Sequence, residues 1–136
     1  MISENEAFDQ FISEHRWAVL TTLRKDGQPV SSVVAYARDG DTLVMSTPGG
    51  TFKRKSLVRD PRATLCILTN QEPFNFVSVE GPTRIETDNL VEDTRRVFQN
   101  IADTGWTEPD DLAGWLEAQQ RVIIRLQPER VYGVIR

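Results

Sequence analysis

Basic side chains crowd into one short segment of this chain, and their setting suits the binding of an anion. A Gly-Gly pair at 49–50 comes directly before them. A glycine-rich turn that leads into a basic helix leaves backbone N–H groups free, presents the positive end of the helix dipole and adds lysine charge. The segment therefore predicts a phosphate site, although a solvated basic helix face would show the same run of charge. The five cations are Lys53, Arg54, Lys55, Arg59 and Arg62.

The spacing of these residues divides their roles. On a helix that begins near Thr51, residues four apart share a face, so Thr51, Lys55 and Arg59 line up. Lys53 belongs to the first turn, where its ammonium group can bend back over the helix N-terminus. Arg54 points to another face of the helix. Arg62 follows an Asp-Pro stop at 60–61, falls in the next strand and is interpreted as structural.

Few other side chains offer chemistry. His15 is the only histidine and Cys66 the only cysteine, so a His/Cys metal site or a Ser-His-Asp triad is hard to build. We expect His15 to end the first helix and Cys66 to be a buried small hydrophobe, and we predict no metal site. The carboxylates at 88–93 and 108–111 are typical of helix starts, and we expect Asp88 to cap the third helix. A catalytic activity would therefore depend on a bound cofactor.

Composition narrows the class of protein. A chain of 136 residues with 39% hydrophobic and 26% charged residues suits one globular domain over 1–136. No apolar run approaches the ~18 residues that cross a membrane. The net charge of −4 argues against nucleic-acid binding, because such binding depends on an excess of positive charge. The single cysteine and the absence of a signal-peptide pattern predict a cytoplasmic protein whose partner is a small molecule.

The elements that position the basic segment are mostly short strands. Turn signals recur every ~8–12 residues, which indicates a small barrel. We predict a mainly β fold of the α+β class, with six to seven strands and short flanking helices. Predicted helices cover 7–15, 51–59, 88–103 and 109–118. Predicted strands cover 17–23, 30–37, 42–47, 63–69, 74–86, 122–126 and 130–135.

Several stretches, taken in order and spacing, resemble a known family. They are 17–29, 43–47, 53–63, 77–81 and 130–133. The pattern resembles the split β-barrel flavin-binding superfamily that includes pyridoxamine 5′-phosphate oxidase. More narrowly, it is similar to the branch of flavin/deazaflavin oxidoreductases that uses coenzyme F420, an 8-hydroxy-5-deazaflavin. The resemblance extends over nearly the whole chain.

This resemblance implies an FMN-binding split-barrel fold and a homodimer with the cofactor at the subunit interface. Lys53 matches the lysine that holds the cofactor phosphate, and Thr51 the residue beside it. Lys55 and Arg59 would meet an anionic tail. The remaining matched positions are Ser46 and Thr47 at the cofactor, Ser31, Ser32 and Val33 along its ring, and Phe76 and Ser78 near the partner subunit's cofactor.

Two departures from the family pattern bear on which cofactor is bound. The phosphate-oxidase pattern has arginine where this chain has Ser31 and Phe52. Their loss disfavours FMN, whose terminal phosphate suits arginine forks. F420 carries a phosphodiester and a polyglutamate tail, which suit a string of cations. The resemblance thus implies an F420-dependent oxidoreductase that passes hydride between the deazaflavin and an unsaturated small organic substrate.

Three alternatives stay open at this point. One is an FMN-dependent oxidoreductase similar to pyridoxamine-phosphate oxidase. Another is a non-catalytic protein that binds a flavin, a tetrapyrrole or another flat anion. The third is a structural protein that binds an anion and no cofactor. The sequence assigns no catalytic residue and does not identify the substrate.

Overall fold

Eight antiparallel strands form one curled sheet. The computed structural model describes residues 1–136. The strand order is β2-β1-β5-β6-β7-β4-β3, and β8 also pairs with β6. The strands are β1 (Trp17–Leu23), β2 (Pro29–Ala35), β3 (Ala37–Asp39), β4 (Thr42–Thr47), β5 (Arg62–Leu68), β6 (Phe76–Glu86), β7 (Val122–Leu126) and β8 (Arg130–Val134).

Four short helices flank the sheet. Their bounds are α1 (Glu6–Glu14), α2 (Phe52–Arg59), α3 (Val91–Asn100) and α4 (Leu112–Ala118), and a 3-10 turn covers Ala102–Thr104. None of them combines the length and the apolar composition that crossing a bilayer requires. Thr51 caps α2 and His15 caps the end of α1, where its ring stacks on Phe11 with 3.8 Å between ring centroids.

The long strand β6 joins the two parts of the sheet. Its first half pairs with β5 and β8, and residues 83–86 pair with β7. The curl brings β2 beside β4, but no backbone hydrogen bonds join these two strands. The barrel is therefore split between β2 and β4, which confirms the predicted fold class.

Two apolar clusters hold the helices to the sheet. The barrel interior contains inward residues such as Leu20 and Ile67, and it is completed by Ile12 from α1 and Leu57 from α2. A smaller cluster on the other face of β3, β4 and β7 receives Val97 of α3. α1 and α2 thus pack on the barrel interior, and α3 packs on the opposite face of the sheet.

The structure has one more strand than predicted, because the predicted strand 30–37 divides at Tyr36. The backbone N–H of Tyr36 donates to the carbonyl of Arg16, and its buried hydroxyl donates to the Ile12 carbonyl at 2.6 Å. Ala37–Asp39 then pairs with β4 instead of β1. The buried tyrosine turns the chain from one side of the barrel to the other.

The prediction that Asp88 caps the third helix is wrong. α3 begins at Val91 after Leu90, with no side-chain cap, and Asn89 has a positive φ of 56° that moves the chain away from a helical path. By contrast, Asp111 caps α4 by accepting from the Gly114 N–H at 3.1 Å. The other predicted elements are present, with bounds shifted by no more than three residues.

Arg125 of β7 ties α3 to the sheet. Its side chain is only 13% exposed, and it contacts carboxylates from three elements. Nη1 lies 2.9 Å from Asp39 Oδ2, Nε lies 3.1 Å from Glu86 Oε1, and Nη2 bonds Asp93 of α3. Nη1 also donates to Thr42 Oγ1 at 2.8 Å. One guanidinium therefore reduces the repulsion among three carboxylates.

The pKa of Glu86 reflects this arrangement. Burial alone would raise the pKa, but hydrogen bonds from Arg125 and Arg84 outweigh burial and hold it below its ordinary value. A carboxylate whose pKa is lowered by folding stabilises the protein above its unfolded-state pKa. That contribution is lost as the pH falls through the folded-state pKa.

We expect Arg125→Met to lower the free energy of unfolding by about 3–5 kcal/mol at neutral pH, because it leaves half-buried carboxylates without their cation. The deficit should narrow toward acidic pH, where the same carboxylates become protonated. Urea unfolding followed by circular dichroism, at neutral and at mildly acidic pH, measures both effects.

The matched control is Arg84→Met. Arg84 also pairs with Glu86, with 2.9 Å between Nη2 and Oε2, but its side chain is 69% exposed. Its loss should cost less than about 1 kcal/mol, as is usual for exposed ion pairs. Equal losses in the two variants would show that Arg125 has no special structural role.

Candidate cofactor site

The candidate site is built where β4 ends and α2 begins. Thr47 is buried at the end of β4, and its hydroxyl lies 3.0 Å from that of Thr51. Thr51 Oγ1 donates to the Pro48 carbonyl at 3.1 Å and accepts from the Arg54 N–H at 3.5 Å. These hydroxyls fix the turn and set the direction in which α2 leaves the sheet.

The glycine pair before α2 has a packing role. A Cβ on Gly49 would lie 2.3 Å from the carbonyl oxygen of Gln120, so only glycine permits this approach of two backbones. A Cβ on Gly50 would meet nothing within 4 Å. Gly49 is therefore explained by contact with the segment before β7, independently of any phosphate.

The first turn of α2 has the features of an anion site. Lys53, its second residue, is half-buried, and no carboxylate lies within 4.0 Å of its ammonium group. The backbone N–H groups of Phe52 and Lys53 have no acceptor within the helix. Lysine charge, free N–H groups and the positive end of the helix dipole thus coincide.

Further cations without carboxylate partners lie along α2 and in a neighbouring turn. Arg59 Nη2 donates to the Leu23 carbonyl at 2.7 Å, which brings the end of α2 beside the turn that joins β1 to β2. A shallow cleft of about 420 Å³ lies between the two elements. We call the five cations of these two elements the basic patch. They are Arg24, Lys25, Lys53, Lys55 and Arg59.

No member of the basic patch has a carboxylate partner within 4.0 Å, whereas eight arginines elsewhere have one. Arg62 is one of the eight. It pairs with Asp60 at 2.8 Å and lies on β5, as its structural interpretation requires. The charge of the basic patch is therefore available to a ligand. Sequence reasoning missed Arg24 and Lys25, because only the fold brings their turn next to Arg59.

The strand β2 borders the split in the barrel. It pairs only with β1, and its other edge is open toward β4. Ser31 and Val33 lie on the outer face, where the Ser31 hydroxyl is 2.9 Å from that of Thr21 and Val33 is 70% exposed. Ser32 turns to the opposite face, because neighbouring residues of a strand alternate. The three predicted ring contacts thus do not share one face.

Ser46 and Thr47 also point to opposite faces of their strand. The Ser46 hydroxyl accepts from Arg121 Nε at 3.1 Å, and its carbonyl accepts from Nη2 at 3.3 Å. Thr47 faces Thr51 instead. The structure therefore brings Thr47 to Thr51, directly before the helix turn that contains Lys53. It directs the Ser46 side chain to the opposite face, toward Arg121, which the sequence analysis did not single out.

The last two predicted site residues, Phe76 and Ser78, lie on the outer face of the sheet. Ser78 is in register with Cys66 on one side and Tyr132 on the other. Cys66 is half-buried on this outer face rather than buried in the core, because strand alternation turns its neighbours inward. Phe76 and Ser78 are thus grouped with Val33, across the sheet from the barrel interior.

No group of three His, Cys, Asp or Glu side chains is arranged to hold a metal ion.

Comparisons with known proteins agree with this fold and order of motifs. Residues 5–135 match the pyridoxamine 5′-phosphate oxidase family. The chain is 30% identical over 126 residues to an F420-dependent biliverdin reductase of Mycobacterium tuberculosis, an alignment that covers 90% of this chain and 82% of the relative.

Two solved structures share the fold. A conserved hypothetical protein of Mycobacterium tuberculosis superimposes with a TM-score of 0.78 at 24% identity, covering 98% of this chain and 84% of that one. A structure described as an F420 reductase has a TM-score of 0.75 at 20% identity, covering 93% and 97%. The relatives thus include oxidoreductases. The chain itself belongs to the pyridoxamine 5′-phosphate oxidase family.

Proposed function

We propose that this protein is an F420-dependent oxidoreductase that acts on an unsaturated small organic substrate. The observation that carries the proposal is the basic patch, whose cations continue from Lys53 across two elements without a carboxylate partner. The F420 dependence of the biliverdin reductase relative supports the same cofactor. The protein's location in the cytoplasm stays a prediction.

The patch fits a cofactor with a diester and an acidic tail better than a compact monophosphate. Lys53 and the free N–H groups at the start of α2 would hold the phosphodiester. Lys55 and Arg59, joined by Arg24 and Lys25, would attract the tail. A single terminal phosphate would contact only the Lys53 end and leave the rest of this charge without a function.

The chain's own contribution would be binding and orientation. When bound, the reduced deazaflavin supplies the hydride that reduces the substrate. The open edge of β2 would border the ring with Ser31 and Val33, since Ser32 faces the opposite side of that strand. At the end of β4, Thr47 would help fix its position, since Ser46 faces Arg121 instead. No side chain near this edge is assigned a proton-transfer role.

We also propose that a second copy of the chain covers the outer face of the sheet. Register places Val33, Val19, Cys66, Ser78 and Tyr132 in one row across five strands. Several large apolar side chains stand exposed on or beside this face, which is typical of a protein interface. In such a homodimer, Phe76 would approach the partner subunit's cofactor, whereas Ser78, only 3% exposed, would lie beneath its neighbours in this row. The exposed apolar residues are Val33, Leu68, Phe74, Tyr132, Val134 and Ile135.

We expect Lys53→Ala to weaken F420 binding about 10- to 100-fold, the loss usual for a hydrogen bond to a charged group. Binding of the deazaflavin riboside, which lacks phosphate and tail, should be unchanged. Fluorescence titration of purified protein with F420, the riboside and FMN measures the three affinities.

Arg62→Ala is the matched control, since Arg62 lies in the same basic run but pairs with Asp60. It should leave F420 affinity unchanged. Tight FMN binding without F420 binding would overturn the choice of cofactor. F420 binding without any acceptor reduction in single-turnover experiments would indicate a carrier instead of an enzyme.

We expect Val134→Glu to convert a dimer into a monomer, because it places a charge on an apolar face where Val134 is 40% exposed. Light scattering after size-exclusion chromatography reports the mass. Val58→Glu, at a 69% exposed position of α2, should leave the dimer intact. A wild-type mass of one chain would contradict the proposed interface.

A further inference from the structure

Two further cations without carboxylate partners, Arg54 and Arg121, line a cavity behind β4. This cavity of about 570 Å³ lies among α2, α3, α4 and the start of β7. Arg54 and Arg121 line it, whereas Lys53 and the rest of the basic patch do not. Because Ser46 and Thr47 point to opposite faces of β4, the cavity and the candidate cofactor site lie on different sides of that strand.

Arg121 is surrounded by neutral partners. Its guanidinium donates to the hydroxyl and the carbonyl of Ser46 and to Gln119 Oε1 at 2.7 Å, and it lies 4.3 Å from the centre of the Trp115 ring. No carboxylate lies within 4.0 Å. Burial lowers the pKa of Arg121, because the charged form has lost part of its hydration. A half-buried cation of this kind gains from an anion beside it.

Arg54, on α2, lies near the segment that contains Arg121, and Gly49 connects the two. Its Nη1 donates to the Gly49 carbonyl at 3.3 Å and has no carboxylate partner. Gly49 in turn lies against the residues just before Arg121, since its N–H donates to the Gln119 carbonyl at 3.5 Å. Both arginines therefore line the cavity beside the backbone contact between Gly49 and Gln119.

The rest of the cavity is largely apolar. Glu117 is its only acidic lining residue and lies more than 4.0 Å from every cation, so the lining carries one net positive charge. Half of the lining residues are hydrophobic. They are Leu90, Val91, Ala113, Leu116 and Val122. A cavity with cations at one end and aliphatic walls matches an amphipathic ligand with one negative charge.

We propose that this cavity binds a small organic monoanion, a carboxylate on a short apolar chain, with Arg54 and Arg121 as its counter-ions. Arginine pairs with a carboxylate through two parallel hydrogen bonds, and each guanidinium keeps N–H groups that its neutral partners do not occupy. This site is additional to the proposed cofactor site. The two sites meet adjacent residues of β4. Arg121 of this site donates to Ser46, whereas Thr47 bonds Thr51 at the proposed cofactor site.

Calorimetric titration of the cofactor-free full chain with sodium hexanoate tests the proposal. We expect saturable binding that Arg54→Gln and Arg121→Gln each weaken about tenfold, the loss usual for one charge-assisted pair. The arginine Nε–Hε signals of both residues should shift in nitrogen-15 NMR spectra. Sodium acetate and inorganic phosphate should bind more weakly than hexanoate, because they cannot use the apolar wall.

Two further variants make the outcome decisive even if Arg121→Gln does not fold. Ala113→Glu supplies a carboxylate within the cavity and should abolish hexanoate binding while preserving the helix. Arg136→Gln removes an arginine that also bonds one carbonyl, at 3.0 Å from Pro73 O, but lies outside the cavity, and it should have no effect. The proposal is overturned if hexanoate does not bind saturably, if Arg54→Gln leaves its affinity unchanged, or if phosphate binds equally well.

Discussion

The alternation of side chains along β4 is the constraint on which both candidate sites depend. A strand presents successive residues to opposite faces, so two adjacent hydroxyls cannot serve one pocket. Thr47 faces Thr51 and the start of α2, whereas Ser46 faces Arg121. The same strand end therefore orients a helix N-terminus on one side and holds a guanidinium on the other.

Charge pairing is informative here because acidic groups are abundant. The chain has 20 Asp and Glu against 16 Lys and Arg, so a shortage of carboxylates does not explain unpaired cations. Eight arginines have a carboxylate within 4.0 Å, and Arg125 alone contacts three. Apart from Arg136, which bonds the Pro73 carbonyl, the cations that lack carboxylate partners lie on α2, in the turn beside it and in the segment before β7. In a chain of net charge −4, that uneven distribution supports the two anion sites proposed above.

Local signals predicted much of the fold, and contacts between distant residues account for what they missed. Hydrophobic patterning defined β1 and β7 to the residue, and Thr51 with the Asp-Pro stop bounded α2. The division of the second strand depends on Tyr36 reaching Ile12, and the contact of Arg121 with Ser46 joins positions 75 residues apart. In neither contact does the sequence around one residue predict its distant partner. Lys53 could be predicted as a site residue because the residues around it in the sequence mark a helix start. Arg24 and Lys25 could not, because only the folded chain brings their turn next to Arg59.

The open edge of β2 connects the basic patch with the exposed face of the sheet. Ser31 and Val33 belong to that face, yet their strand also borders the split beside β4. A flat ring lying along this edge would remain open to water in a single chain, since the neighbouring cleft beside Phe52 and Arg59 is shallow. A second copy on the outer face would exclude that water and strengthen every charge interaction at the edge. In the proposed homodimer, assembly and cofactor binding would depend on each other, because the surface that covers the apolar side chains would also complete the walls of the site.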